Sequence, residues 1–134
     1  KTNLMSHFST IKTKLKETEP LIKALDILGY NPNQDEKFVK GYQGKFTAVD
    51  ISLDLPENTK VGFKWDNKTN SYELVTDLDL WKYNLPVERF ISKVTQMYAY
   101  QTIISQTQKD GYQIVEQKNE NDGSIELVLT KWEA

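Results

Sequence analysis

The chain contains no cysteine. Disulfides, thiolate nucleophiles, iron–sulfur clusters and the usual structural zinc sites all need thiolate sulfur, so none can be built; a reducing compartment is compatible. Histidine is nearly absent too. His7 stands alone, so no metal site or catalytic unit made from two imidazoles can form. A single imidazole can act as an acid or base, but one beside a strand start reads first as a surface or hydrogen-bonded residue. With 6 glycines, 4 prolines and no low-complexity tract, disorder is not expected. No apolar run approaches the roughly 18 residues of a membrane-spanning helix, and the first residues lack a basic-then-apolar signal pattern. Neither membrane insertion nor a secretory leader is expected, so the Asn67-Lys68-Thr69 glycosylation pattern reads as chance. An excess of one charge is also missing: 17 basic and 19 acidic side chains leave a net charge of -2. With the lysines scattered, nothing draws a phosphate backbone, and nucleic acid is not the expected partner. Neither a P-loop nor a dinucleotide fingerprint occurs, so no cofactor is expected.

What is present is a mix of 38% hydrophobic and 27% charged residues over 134 positions, the make-up of one globular domain. A chain of this size buries roughly two-thirds of its unfolded surface, enough for a real core. Met5 makes a sensible initiator, so the domain is taken as 5–134, with 1–4 as an upstream extension or expression remnant.

The longest periodic stretch, 86–110, predicts one long helix. At about 100° per residue, Val87, Phe90, Ile91, Val94 and Tyr98 form a single stripe suited to cover a sheet. Beyond Met97 the stripe stops: Gln101, Ser105 and Gln108 occupy its line, while Tyr100, Ile103 and Ile104 turn away. The first half should therefore roof the sheet and the second half meet something else. The first helix of the same chain is the plain candidate, and a loop or a partner chain the others; Ile103, with Ala99 nearby, is the candidate partner contact. Burial of Ile103 within the chain would remove that argument.

Around this helix lie shorter segments. The stretch 6–15 alternates as a strand with Ile11, Thr13 and Leu15 on one side; Phe8 is out of phase, through either a bulge near Ser9 or a turn to the opposite face. Thr18-Glu19-Pro20 reads as a cap and first turn of a short helix, 19–28, ended by Gly29 with Tyr30 packing back. Residues 37–55 read as two strands around Gly41 to Gly44, the second alternating Val49, Ile51, Leu53, Leu55 against Asp50, Ser52, Asp54 until Pro56 stops it. Val61 to Trp65 and Ser71 to Asp79 flank the turn formers Asp66 to Asn70, and Tyr112 to Gln117 and Ser124 to Trp132 flank Asn121-Asp122-Gly123, giving two hairpins. Strands in runs indicate an α+β fold: a mostly antiparallel sheet of about five to seven strands under a single layer of two helices.

Two constellations could carry chemistry. Asp50 and Asp54 share one strand face and Asp77 and Asp79 another, so neighbouring strands could set four carboxylates around a hard cation; the same pattern is what a solvated sheet face looks like. Lys40-Gly41-Tyr42-Gln43-Gly44-Lys45 places a ring and two glycines between lysines, as a phosphate-clamping loop would, but without the flanking helices of nucleic-acid GxxG loops. A hairpin turn with glycines at positive φ is the simpler reading, with Tyr42 left as a contact.

The segments MSHFSTIKTKL, KGYQGKFTAVDISL, SYELVTDLDLW, VERFISKVTQMYAY and DGSIELVLTKW together resemble the hypothetical chloroplast reading frame thirty-five family, small proteins of cyanobacteria and algal plastids within a wider domain of unknown function. The resemblance runs over nearly all of the chain from Met5. It implies a photosynthetic origin and a cyanobacterial cytoplasmic or plastid stromal location, and carries no catalytic residues. The expectation is an accessory or adaptor protein that binds another protein or itself. The alternatives are a small-ligand or metal-dependent enzyme using Asp50, Asp54, Asp77 and Asp79, and a weak RNA-binding module using Tyr42, Lys40 and Lys45.

Overall fold

Alternating apolar residues in the central strands require a covered face, and a computed structural model shows what covers it. The structure describes residues 8–121 and 124–131. In chain order the elements are β1 (Phe8–Lys12), α1 (Thr18–Ile27), β2 (Phe38–Lys40), β3 (Phe46–Ala48), β4 (Ile51–Leu55), β5 (Thr59–Asp66), β6 (Ser71–Asp77), α2 (Val87–Lys109), β7 (Tyr112–Asn119) and β8 (Ile125–Lys131). All strand pairs are antiparallel, and the fold is α+β. Four strands form the main sheet in the order β1-β6-β5-β4, and β2–β3 and β7–β8 are two-stranded ribbons.

Register sorts the side chains. Ile51 pairs with Phe63 and Leu53 with Val61, while Phe63 pairs with Leu74 and Trp65 with Tyr72, so these residues share one face. Leu21, Ala24 and Leu25 of α1 and Val87, Phe90, Val94 and Tyr98 of α2 pack on it to form the main core. Each large apolar side chain fully buried there contributes about 1.5–3 kcal/mol. The stripe expected on the first half of α2 is thus the face that covers the sheet. Trp65 and Trp81 lie at the rim of this core.

The opposite face carries a smaller core, in which Phe8 packs against Val39, Val49 and Val75 beneath the β2–β3 ribbon. Pairing along β1 is continuous from Phe8 with Asp77 to Lys12 with Glu73, so Phe8 leaves the alternation by facing the other side and not through a bulge. Gly62 marks where the ribbon crosses β5. A Cβ there would lie 2.5 Å from Val49 Cγ1 and 2.8 Å from Val39 Cγ2.

Two local readings are corrected. The run ending at Leu55 is not one strand: the Val49 N–H still bonds to Lys37, just before β2, at 2.9 Å, whereas the Asp50 N–H already bonds to Phe63 of β5 at 2.9 Å. The chain changes sheets between those two residues, because Val49 is needed in the small core and Ile51 in the large one. Nor does Thr18 cap α1. Glu17 is the N-cap residue, without a side-chain bond, and Thr18 Oγ1 instead meets the Tyr72 hydroxyl at 2.5 Å. The Tyr98 hydroxyl of α2 accepts from the Lys16 and Glu17 N–H groups at 3.0 and 2.9 Å, so a tertiary contact orders the helix entry. The far end follows the sequence: Gly29 takes φ +85°, its N–H bonds to Asp26 at 3.0 Å, and the Tyr30 N–H bonds to Leu25 at 2.9 Å. Tyr30 then folds back onto Phe90, with ring centroids 5.3 Å apart.

Candidate protein-interaction surface

The distal half of α2 buries little. After Tyr98, Thr107 is its one buried residue. Tyr100 donates through its hydroxyl to Gln117 Oε1 of β7, so the line of Tyr100 and half-buried Ile104 faces the β7–β8 ribbon, while α1 lies alongside. Ile103 borders a shallow cavity of ≈ 290 Å³ with Glu17, Pro20 and Lys109 and remains 50% exposed. Ala99 is exposed as well. Contact with α1, the plain candidate, therefore covers this residue only in part.

The ribbon beyond it pairs Ile114 with Leu129, Gln117 with Leu127 and Lys118 with Glu126, with a bulge at Val115. An extra residue in one strand breaks the alternation and leaves its side chain unpaired. Val115 is 53% exposed, and Tyr112, Val128 and Leu129 are exposed too. No ribbon residue with a described side chain is buried. A cavity of ≈ 500 Å³ lies where helix and ribbon meet, lined by Gln108, Gly111, Tyr112, Gln113 and Ile114. Lys118 sits 3.8 and 3.9 Å from Glu116 and Glu126, surface pairs that contribute little to stability. Asp122 and Gly123 of the expected turn, His7 and Trp132 lie outside the described residues.

The loop at 40–45 is docked onto the sheet. The Tyr42 N–H, which an anion would need, donates to Asp77 Oδ2 at 2.9 Å, and the Gly41 N–H bonds to Lys45 at 2.7 Å. A Cβ on Gly41 would stand 2.5 Å from the Phe8 ring, so this glycine serves close approach, while Gln43 and Gly44 turn the chain at φ 55° and 73°. Lys40 and Tyr42 are exposed and Lys45 is half-buried. Sequence reasoning missed their neighbours: Phe38 and Phe46 meet edge to face, centroids 6.4 Å apart, while 55% and 63% exposed. Alternation with buried Val39 was the available signal.

The four aspartates are not brought together. β5 separates β4 from β6, and three of the carboxylates have local tasks. Asp50 Oδ2 accepts the Trp65 N–H at 2.7 Å, and Asp54 pairs with Lys60 at 2.5 Å. Asp77 is buried and takes the Tyr42 and Asp79 N–H groups, the second at 3.0 Å, which starts the 3₁₀ turn Leu78–Leu80. Asp79 is exposed. Among the described residues no group of three or more carboxylates or imidazoles could hold a metal ion. Two other groups titrate away from their usual range: the hydrogen bond with Tyr30 and burial raise the Tyr83 hydroxyl, and the Lys68 N–H, with Thr69 and Lys12, holds Asp66 low despite partial burial.

Fold and surface define a small α+β domain whose described residues present exposed apolar ribbons and assemble no metal centre. The chain belongs to the family described as "Protein of unknown function (DUF1257)", which matches residues 24–128. It is 35% identical over 128 residues to the "Uncharacterized protein ycf35" of Pyropia yezoensis, covering 96% of this chain and 98% of that one. The proteins of the same name from Guillardia theta and Cyanophora paradoxa are 36% and 33% identical over the same shares. That name is a plastid reading frame's, which agrees with the resemblance read from the residues. No solved structure matches significantly. No helix among the described residues is long and apolar enough to cross a membrane.

Proposed function

We propose that the protein is an accessory or adaptor domain of the plastid stroma or cyanobacterial cytoplasm, which binds another protein through the distal half of α2 and the β7–β8 ribbon. The observation that carries this reading is a ribbon with no buried side chain among those described, yet with Tyr112, Val115, Val128 and Leu129 exposed beside half-exposed Ile103. A two-stranded ribbon is marginal by itself, and covering its apolar side chains returns about 25 cal/mol per Å². Exposed apolar surface of this kind is where partners dock.

The test is affinity capture from photosynthetic cells at native abundance with the wild-type chain and with Val115→Asp/Val128→Asp. Both positions are exposed, so the variant should melt within about 2 °C of wild type while the captured protein is lost. Equal capture by both chains would defeat the reading. Size-exclusion over a concentration series identifies the partner as a second copy if the wild-type chain associates and the variant does not.

A further inference from the structure

Beside the entry to α1 a cavity of ≈ 430 Å³ opens against the main sheet, a volume within the range of small-molecule sites. Its floor is the Trp65–Tyr72 cross-strand pair, rings 5.1 Å apart and nearly perpendicular. Its walls include Lys16 and Thr18 from the entry to α1 and Gln34 and Lys37 from the loop before β2. Each part is held in place. Tyr72 is fixed by its N–H to Leu15 at 2.8 Å and by Thr18 at its hydroxyl, and the Trp65 indole N–H donates to Asn67 at 3.0 Å. Asn33 ties the loop to β4 through two backbone bonds with Ser52 of 2.9 Å each, and its side chain accepts the Asp35 and Glu36 N–H groups at 2.8 and 2.9 Å. The Tyr98 hydroxyl pins the backbone at Lys16. The ammonium groups of Lys16 and Lys37 have no ion-pair partner among the described residues, and the one lining carboxylate, Asp50, has an oxygen engaged by the Trp65 N–H.

A fixed aromatic floor under two uncommitted cations is complementary to a flat ring bearing an anionic group, and Gln34 and the other Asp50 oxygen can bond polar atoms on the ring edge. We infer that this cavity binds a ring-bearing small anion, stacked on Trp65 with its phosphate or carboxylate between Lys16 and Lys37. This site is separate from the protein-binding surface proposed above and does not depend on it.

Calorimetric titration of the full chain at low salt, with AMP and with 4-hydroxybenzoate in separate arms, distinguishes the two anion sources. Saturable binding in either arm is expected, weakened about tenfold or more by Lys16→Ala or Lys37→Ala, as loss of a charge-assisted bond requires. Both lysines are exposed, so the variants should keep the wild-type circular dichroism and melting temperature. Adenosine and inorganic phosphate, each half of the first probe, should bind more weakly than AMP. No saturable binding of AMP or 4-hydroxybenzoate up to about 5 mM would overturn the assignment. So would binding unchanged in the Lys16→Ala/Lys37→Ala double variant.

Discussion

Single atoms decide several positions in this protein. Gly62 is the sharpest case, because its missing Cβ is the space Val39 and Val49 occupy. Gly62→Ala would place a methyl group against two branched side chains with little room to turn, so we expect a loss of about 1–3 kcal/mol in chemical denaturation. The Tyr98 hydroxyl is a second case, since it accepts two backbone N–H groups at the entry to α1. Tyr98→Phe keeps the ring and the core but leaves those donors without their partner, at a cost of about 1–3 kcal/mol where water cannot replace it. A variant as stable as wild type would show that water does. Neither role is visible locally: a glycine inside a strand signals close approach without naming the neighbour, and 82 residues separate Lys16 from Tyr98.

Among elements, α2 and the β7–β8 ribbon carry the functional argument. The first half of α2 belongs to the main core, and Phe90→Ala there should cost about 3–5 kcal/mol, measured by urea unfolding. The second half lies between α1 and the β7–β8 ribbon, and substitutions at Ile103 should alter partner capture with little effect on stability. The change of face beyond Met97 was legible in the sequence, because a polar residue at Gln101 interrupts a 3.6-residue period. Of what meets the second half, α1 was the plain candidate in the sequence, whereas the ribbon was not foreseen, since it reaches the helix from the chain's far end. Element ends were legible where chemistry is local, as at Gly29, and illegible at Thr18, where the hydroxyl is drawn to Tyr72. The β4–β5 hairpin was missed because its turn uses Glu57 and Asn58 at φ 64° and 57°, without glycine, behind a proline that reads as a stop.

At the scale of the whole molecule, two shifted groups add pH-dependent contributions to stability. Tyr83 has its folded pKa raised above the ordinary 10.0, so its contribution is complete below pH 10 and is lost as pH rises through the raised value. Asp66 is lowered from 3.8, so its contribution is present above that pH and is lost as pH falls through the lowered value. Denaturation at pH 7 and pH 11 should show a decline on the alkaline side that Tyr83→Phe reduces; an unchanged decline would place its cause elsewhere.

The sequence by itself determined the α+β class, the antiparallel pairing, the two helices, the core stripe of α2, the glycine ends and the family. All of these rest on periodicity, turn chemistry or word order, which act between near neighbours. Only the tertiary structure decided that the strands divide between one sheet and two ribbons, that Phe8 and Val49 build a second core, and that Asp50 and Asp77 serve backbone N–H groups while the four aspartates stay apart. It also decided that Trp65, Tyr72, Lys16 and Lys37 surround one cavity. Their meeting depends on strand order and register, which arise when distant apolar faces are buried against each other and leave no mark on any short stretch of chain.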